Sequence, residues 1–134
     1  MKGVVAAGHE KTVDAAAEIL RAGGNAYDAA VAAVAAAFVT EPILASLGGG
    51  GFLLARPAHG APILYDFFVD TPKNYRSNDE IDFYPVFADF GAAQQEFHIG
   101  MGSAATPGVA KGLAIVHRER CCLPLTEIFA PSIE

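Results

Sequence analysis

The stretch from Ile19 to Leu54 constrains this chain more than any other. It reads ILRAGGNAYDAAVAAVAAAFVTEPILASLGGGGFLL. Gly23-Gly24 stops one helix, because glycine tolerates the left-handed backbone that closes a helix C-terminus. Asn25 caps the next, with Asp28 three residues on as a capping-box-like partner whose charge suits the helix dipole. This second helix, read over 26–39, carries alanine on nearly every side and Val31, Val34 and Phe38 on one stripe. A helix so evenly apolar is buried on most faces, and alanine lets its neighbours come close. Glu41-Pro42 ends it, since the residue before proline avoids the helical region. Gly48 to Gly51 then enters a strand, Phe52-Leu53-Leu54-Ala55-Arg56. The glycine run has neither the Walker spacing with its Lys-Ser/Thr nor a dinucleotide fingerprint. It reads as a tight turn with close backbone packing, not as a phosphate cradle.

The rest of the chain sorts into short elements around this stretch. Residues 3–7, Gly-Val-Val-Ala-Ala, read as a first strand, and Gly8-His9-Glu10 as a turn. Thr12 or Asp14 caps a first helix that runs to about Ala22, with Val13, Ala16, Ala17 and Leu20 on its apolar face. Residues 63–68 form a second strand paired as a hairpin with 52–56. Residues 69–90, rich in Asp, Asn, Pro and aromatics, show no period and read as a long loop. A third strand follows at 96–100. Thr106 caps a helix with Pro107 at its first position, and Val109, Leu113 and Val116 share one face. A last segment covers 127–134. The fold class is α/β in the broad sense, that is α+β, in one region, 1–134.

Composition narrows the function classes. The chain is 52% hydrophobic and 18% charged. Either some of it packs against more protein, or alanine inflates the apolar count without adding bulk. The nine Lys and Arg are scattered on a chain of net charge −6, so no nucleic-acid partner is expected. The longest apolar stretch, 29–39, falls short of the roughly 20 residues that span a bilayer, so no membrane partner is expected either. Met1-Lys2 leads straight into the first strand with no secretory core, which places the protein in the cytoplasm, or in the periplasm if it is a processed form. Cys121 and Cys122 are adjacent. Neighbours make a strained disulfide and two cysteines make no zinc site, so both read as buried free thiols. No cofactor and no metal is called for. The final segment stops in mid-pattern without a cap, the mark of a truncated chain.

Several polar and aromatic residues are candidates for a site. His98 lies beside Glu96 and could act as a base, although one histidine without a second ligand is more often structural. His9 and His117 read as a turn and a solvated helix position. Asp66, Asp70 and Arg76 could line a cleft, or cap and solvate a loop. Phe83-Tyr84-Pro85-Val86-Phe87 could form a substrate wall, and reads better as core closing against further protein.

The chain resembles the gamma-glutamyltransferase (gamma-glutamyltranspeptidase) family of N-terminal-nucleophile hydrolases. The resemblance rests on the residues from Gly3 to His9, the string from Ile19 to Ala32, Glu41-Pro42, and Gly48 to Phe52. It continues through Thr106-Pro107-Gly108-Val109-Ala110-Lys111-Gly112-Leu113, Leu123-Pro124 and Ala130 to Glu134. The Gly-Gly-Asn-Ala-x-Asp-Ala-Ala-Val-Ala string is its most specific part, and the matching pieces run in order along essentially the whole chain.

This resemblance implies a four-layer α/β/β/α sandwich in a complete protein, of which the chain would be the N-terminal part of the large subunit. The family cuts itself into two subunits, and the new N-terminal threonine of the small one attacks a gamma-glutamyl amide with its own α-amine as base. Water or an acceptor amine then resolves the acyl-enzyme. No threonine here sits in that context, so no catalytic residue is carried over, and the implied partners are the remainder of the enzyme and a small gamma-glutamyl or other amide substrate. After the glycine run the family carries Asp-Gly-Arg-Glu followed by Ala-Pro, and its arginine binds the α-carboxylate of the glutamyl group. Here the same place reads Asp66-Phe67-Phe68-Val69-Asp70-Thr71-Pro72. Asp66 and Phe68 are therefore the candidate substrate-binding residues, with Phe68 in place of the arginine. A charged hydrogen bond to a carboxylate contributes about 1.5–3 kcal/mol, and phenylalanine cannot supply it. With this departure the resemblance implies a divergent branch of the family, acting in glutathione hydrolysis or gamma-glutamyl transfer or as a related acylase on another amide. The alternative is a non-catalytic scaffold or interaction module that kept the family's frame.

Overall fold

A computed structural model describes residues 3–133. The expectations that involve Met1-Lys2 and Glu134 lie outside the described residues. The chain divides into two compact units: residues 3–69 with 107–133, and Asp70–Thr106.

The larger unit sets helices on one face of a hairpin. Helix α1 (Glu10–Arg21) and helix α2 (Ala26–Thr40) form an antiparallel pair. Gly23, at φ 99°, takes the left-handed turn between them. The expected cap of α1 is corrected: His9 holds that place, its Nδ1 accepting from the Lys11 N–H, while Thr12 lies inside the helix. The buried face is also turned by one residue, to Thr12, Ala15, Ala16 and Ile19. A hydroxyl contact explains the shift. Thr40 donates to the Ala36 carbonyl, so Thr12 donates to the Thr40 oxygen at 2.9 Å, which draws Thr12 into the α1–α2 seam. In α2, Ala29, Val31, Ala32, Ala35 and Ala36 are buried, as its even apolarity requires.

Strands β1 (Phe52–Ala55) and β2 (Ile63–Asp66) pair antiparallel, with Leu53 opposite Tyr65 and Leu54 opposite Leu64. Leu53, Tyr65 and Phe67 face the helices and join a core of Ile19, Val31, Val109, Leu113, Val116 and Ile128. Helix α3 (Val109–Arg120) supplies three of these, and helix α4 (Leu125–Phe129) supplies Ile128. The cap of α3 is Gly108, not Thr106. Residues 3–7 form no strand, because they find no partner to pair with among the described residues.

In the smaller unit, strands β3 (Tyr84–Asp89) and β4 (Gln94–Ile99) form a second antiparallel hairpin, Val86 opposite Phe97. The expected loop over 69–90 therefore contains a strand and a short 3-10 turn at Asn78–Glu80. Asp70 and Thr106 close the root of this unit. The Asp70 N–H donates to the Thr106 carbonyl at 3.1 Å and the Thr106 N–H to the Asp70 carbonyl at 2.7 Å. This bridge holds the Thr106 backbone in the smaller unit, and α3 starts only at Val109, too far along for Thr106 to be its cap residue. Among the described residues no helix is long and apolar enough to cross a membrane.

Candidate functional site

The glycine run builds a cradle around the end of β2. The Gly51 N–H donates to the Phe67 carbonyl at 3.2 Å and the Phe67 N–H to the Gly51 carbonyl at 3.1 Å, which extends the hairpin ladder by one pair. The Gly49 carbonyl accepts the N–H groups of both Gly108 and Val109 at 3.1 Å, which ties the start of α3 to the run. The approach is too close for side chains. A Cβ on Gly50 would meet the backbone of Phe68 and Val69, one on Gly108 the carbonyls of Phe67 and Phe68, and one on Gly112 the Phe67 ring. The sequence reading of tight backbone packing holds here, and its effect is to lock the backbone of Phe67–Val69.

Of the two candidate binding residues, Phe68 sits on that locked segment and Asp66 ends the strand just before it. Phe67 points inward over Gly112, and Phe68 points out, 58% exposed. Its ring stacks on Phe52 with centroids 5.4 Å apart and an interplanar angle of 10°. The Asp66 carboxylate is exposed and accepts the Phe68 N–H at 3.0 Å, so it fixes the turn that presents the phenyl ring. The result is an apolar contact surface beside a carboxylate. It is suited to an uncharged acyl or aryl group and unsuited to an anion.

The smaller unit holds the other sequence candidates. The Asp70 carboxylate accepts the Thr71 N–H at 2.8 Å and acts as a local cap. Arg76 lines a cavity of about 700 Å³ with Lys73, Tyr75 and Met101. His98 stacks on Phe83 at 4.6 Å and lies 3.4 Å from the Glu96 carboxylate, a surface arrangement with no second ligand. Phe83, Tyr84 and Phe87 are exposed on this unit. Among the described residues no group of three His, Cys, Asp or Glu could hold a metal ion.

Sequence reasoning saw only half of what Asp28 does. Its capping box with Asn25 is present, the Asn25 N–H donating to Oδ2 at 2.7 Å. The fully buried carboxylate also accepts the N–H groups of Cys122 and Leu123 at 3.1 Å and the Cys122 thiol at 3.0 Å. The Asn25 side chain completes the knot by donating to the Arg120 carbonyl at 2.8 Å. Burial pushes the Asp28 carboxyl up, but the hydrogen bonds from Cys122, Asn25 and Leu123 outweigh it and hold the group below the ordinary carboxylate range. Burial, reinforced by the Asp28 charge, pushes the Cys121 thiol up to about 12. The hydrogen bond to Asp28 raises Cys122 as well. The reading of both cysteines as buried is corrected: they are free, with Cys121 half-buried and Cys122 exposed, the Cys122 residue staying open to solvent while its thiol and N–H reach Asp28.

These elements define a mixed α+β chain whose glycine-locked hairpin end packs on the start of a helix. The sequence model of the Gamma-glutamyltranspeptidase family matches residues 12–134, and the chain belongs to that family. It is 36% identical over 132 residues to a glutathione hydrolase proenzyme of Pseudomonas aeruginosa, covering 98% of this chain and 22% of that protein. It is 33% identical to an acylase ACY 1 proenzyme of a Pseudomonas species, covering 98% of this chain and 24% of that protein. A gamma-glutamyltranspeptidase structure from Pseudomonas nitroreducens superposes with a TM-score of 0.78 at 32% identity, over 98% of this chain and 37% of the other. The chain thus spans about a quarter or less of the length of these curated relatives.

Proposed function

We propose that this chain forms the N-terminal part of the large subunit of a self-processing enzyme that cleaves amides by acyl transfer to a threonine outside this sequence. Its acyl donor lacks the free α-carboxylate of a gamma-glutamyl group. One observation carries the second statement. Phe68, which the resemblance sets where the family carries its arginine, is exposed, stacked on Phe52 and set beside the Asp66 carboxylate. A carboxylate ligand would meet an apolar ring and a like charge there, whereas an aliphatic or aromatic acyl group would bury apolar area against two rings. That both a glutathione hydrolase and an acylase stand among the relatives, each a proenzyme, supports acyl transfer after processing and leaves room for either donor.

A stand-alone interaction module fits less well. The outer face of the β1–β2 hairpin exposes Phe52, Leu54 and Leu64 beside Phe68, an apolar surface that asks to be covered. The test is to express the gene with its downstream coding sequence. Intact mass should reveal two chains, the smaller beginning with threonine. The processed enzyme should hydrolyse hexanoyl-p-nitroanilide in preference to gamma-glutamyl-p-nitroanilide, and Phe68→Arg should shift that ratio toward the gamma-glutamyl substrate by about tenfold or more. A product that never cleaves defeats the first statement. Preference for the gamma-glutamyl substrate with Phe68 in place defeats the second.

A further inference from the structure

A second concave surface lies at the opposite end of the hairpin from Phe68. It is a groove of about 480 Å³ between the first turns of α2 and the end of β1, within the size range of small-ligand sites. Its walls are Ala26, Tyr27, Ala30, Leu53, Leu54 and Pro57, and two cations, Arg56 and Arg120, line it as well.

The cations are not used up by the protein. Among the described residues neither guanidinium is paired with a carboxylate. Glu119, beside Arg120 in the chain, acts on it through space only, and both of its oxygens are engaged elsewhere. Its Oε2 accepts the Tyr65 hydroxyl at 3.0 Å, and its Oε1 faces Arg118 at 3.5 Å. Arg120 is also held in place. Its Nε donates to the Tyr65 oxygen at 2.8 Å and its carbonyl accepts from Asn25, so the outer nitrogens remain as a fixed pair of donors. A preorganised guanidinium with its outer edge unclaimed matches a planar, two-oxygen acceptor. At the start of α2 the N–H groups of Tyr27 and Asp28 are taken by the Asn25 side chain. With those two donors taken, the groove lacks the many-pronged backbone cradle that a phosphate group favours.

We propose that this groove binds a small monocarboxylate with an apolar body, its carboxylate on Arg120 and Arg56 and its body against Tyr27, Leu53, Leu54 and Pro57. The site is independent of the acyl-binding surface around Phe68.

The test is isothermal titration of the full chain with 4-phenylbutyrate, with acetate and the neutral 4-phenylbutyramide as controls, and with an acidic peptide as a competing class of ligand. 4-Phenylbutyrate should bind about tenfold tighter than either control. Arg56→Gln, at an exposed position, and Arg120→Lys, which keeps the charge and loses the fork, should each weaken it about fivefold or more, with circular dichroism unchanged. Because Arg120 also holds Tyr65, Arg56→Gln alone decides the case if Arg120→Lys loses its fold. Equal binding of the amide would make the groove merely apolar. Unchanged affinity in Arg56→Gln, tighter binding of the peptide, or no heat at about 10 mM 4-phenylbutyrate would each overturn the proposal.

Discussion

Replacing Asp28 should unlock the larger unit at one point. The carboxylate is 0% exposed and accepts three backbone N–H groups, from Asn25, Cys122 and Leu123, as well as the Cys122 thiol. Asp28→Ala would strand those donors. Each costs about 1–3 kcal/mol when left unmade, and water reaching the exposed Cys122 relieves part of the loss, so the expected destabilisation is about 3–5 kcal/mol. Asp28→Asn is milder. The amide oxygen can keep the bonds from Cys122 and Leu123, but its NH2 then faces the Asn25 N–H across the 2.7 Å contact, a loss of about 2 kcal/mol. The sign of the pH dependence follows from the lowered pKa. The unfolded chain, with an aspartate near pKa 3.9, holds this proton more tightly than the folded one. The stabilisation is therefore complete above about pH 5 and is lost as pH falls through the lowered folded value. Urea unfolding followed by circular dichroism at pH 7 and at steps down to about pH 3 measures both effects. The gap between wild type and Asp28→Asn should narrow on acidification. A cost below about 1 kcal/mol for Asp28→Ala, or a gap independent of pH, would refute the account of the knot.

Two further outcomes follow from the packing. Gly112→Ala should lower Tm, with a cost of about 1–3 kcal/mol, because the added Cβ falls on the Phe67 ring. In an unobstructed helix the same change would stabilise by about 1 kcal/mol, so a raised Tm would contradict the cradle. Iodoacetamide at pH 8, followed by peptide mass spectrometry, should label Cys122 before Cys121, whose thiol is pushed up to about 12 by burial. Faster labelling of Cys121 would count against that environment.

Much of the larger unit was legible in the sequence, for local reasons. The Gly23-Gly24-Asn25 punctuation, the Asp28 capping box and the period of Val109, Leu113 and Val116 all act within a few residues, and α2, α3 and the β1–β2 hairpin fall where they indicate. The face of α1 was misjudged because a polar residue, Thr12, occupies its seam through a hydroxyl on a neighbouring helix. Strand β3 was missed because most of its residues are exposed and Pro85 interrupts it, so no alternation marks it. Residues 3–7 have strand-forming composition and no partner among the described residues, and composition cannot supply one. At the candidate site, Asp66 and Phe68 could be singled out only by resemblance. The stack on Phe52 follows from a hairpin register, and the second role of Asp28 joins residues 94 and 95 positions apart.

The two backbone hydrogen bonds between Asp70 and Thr106 have a consequence for how such a chain can change over time. They bring the entry and exit of the smaller unit to one place, so everything between them is a closed excursion. The entropic cost of closing such a loop grows only slowly with its length. Insertions and deletions inside 71–105 therefore leave the two ends where they are. This is where length should vary freely, while the glycines on either side of Phe67 admit almost no change.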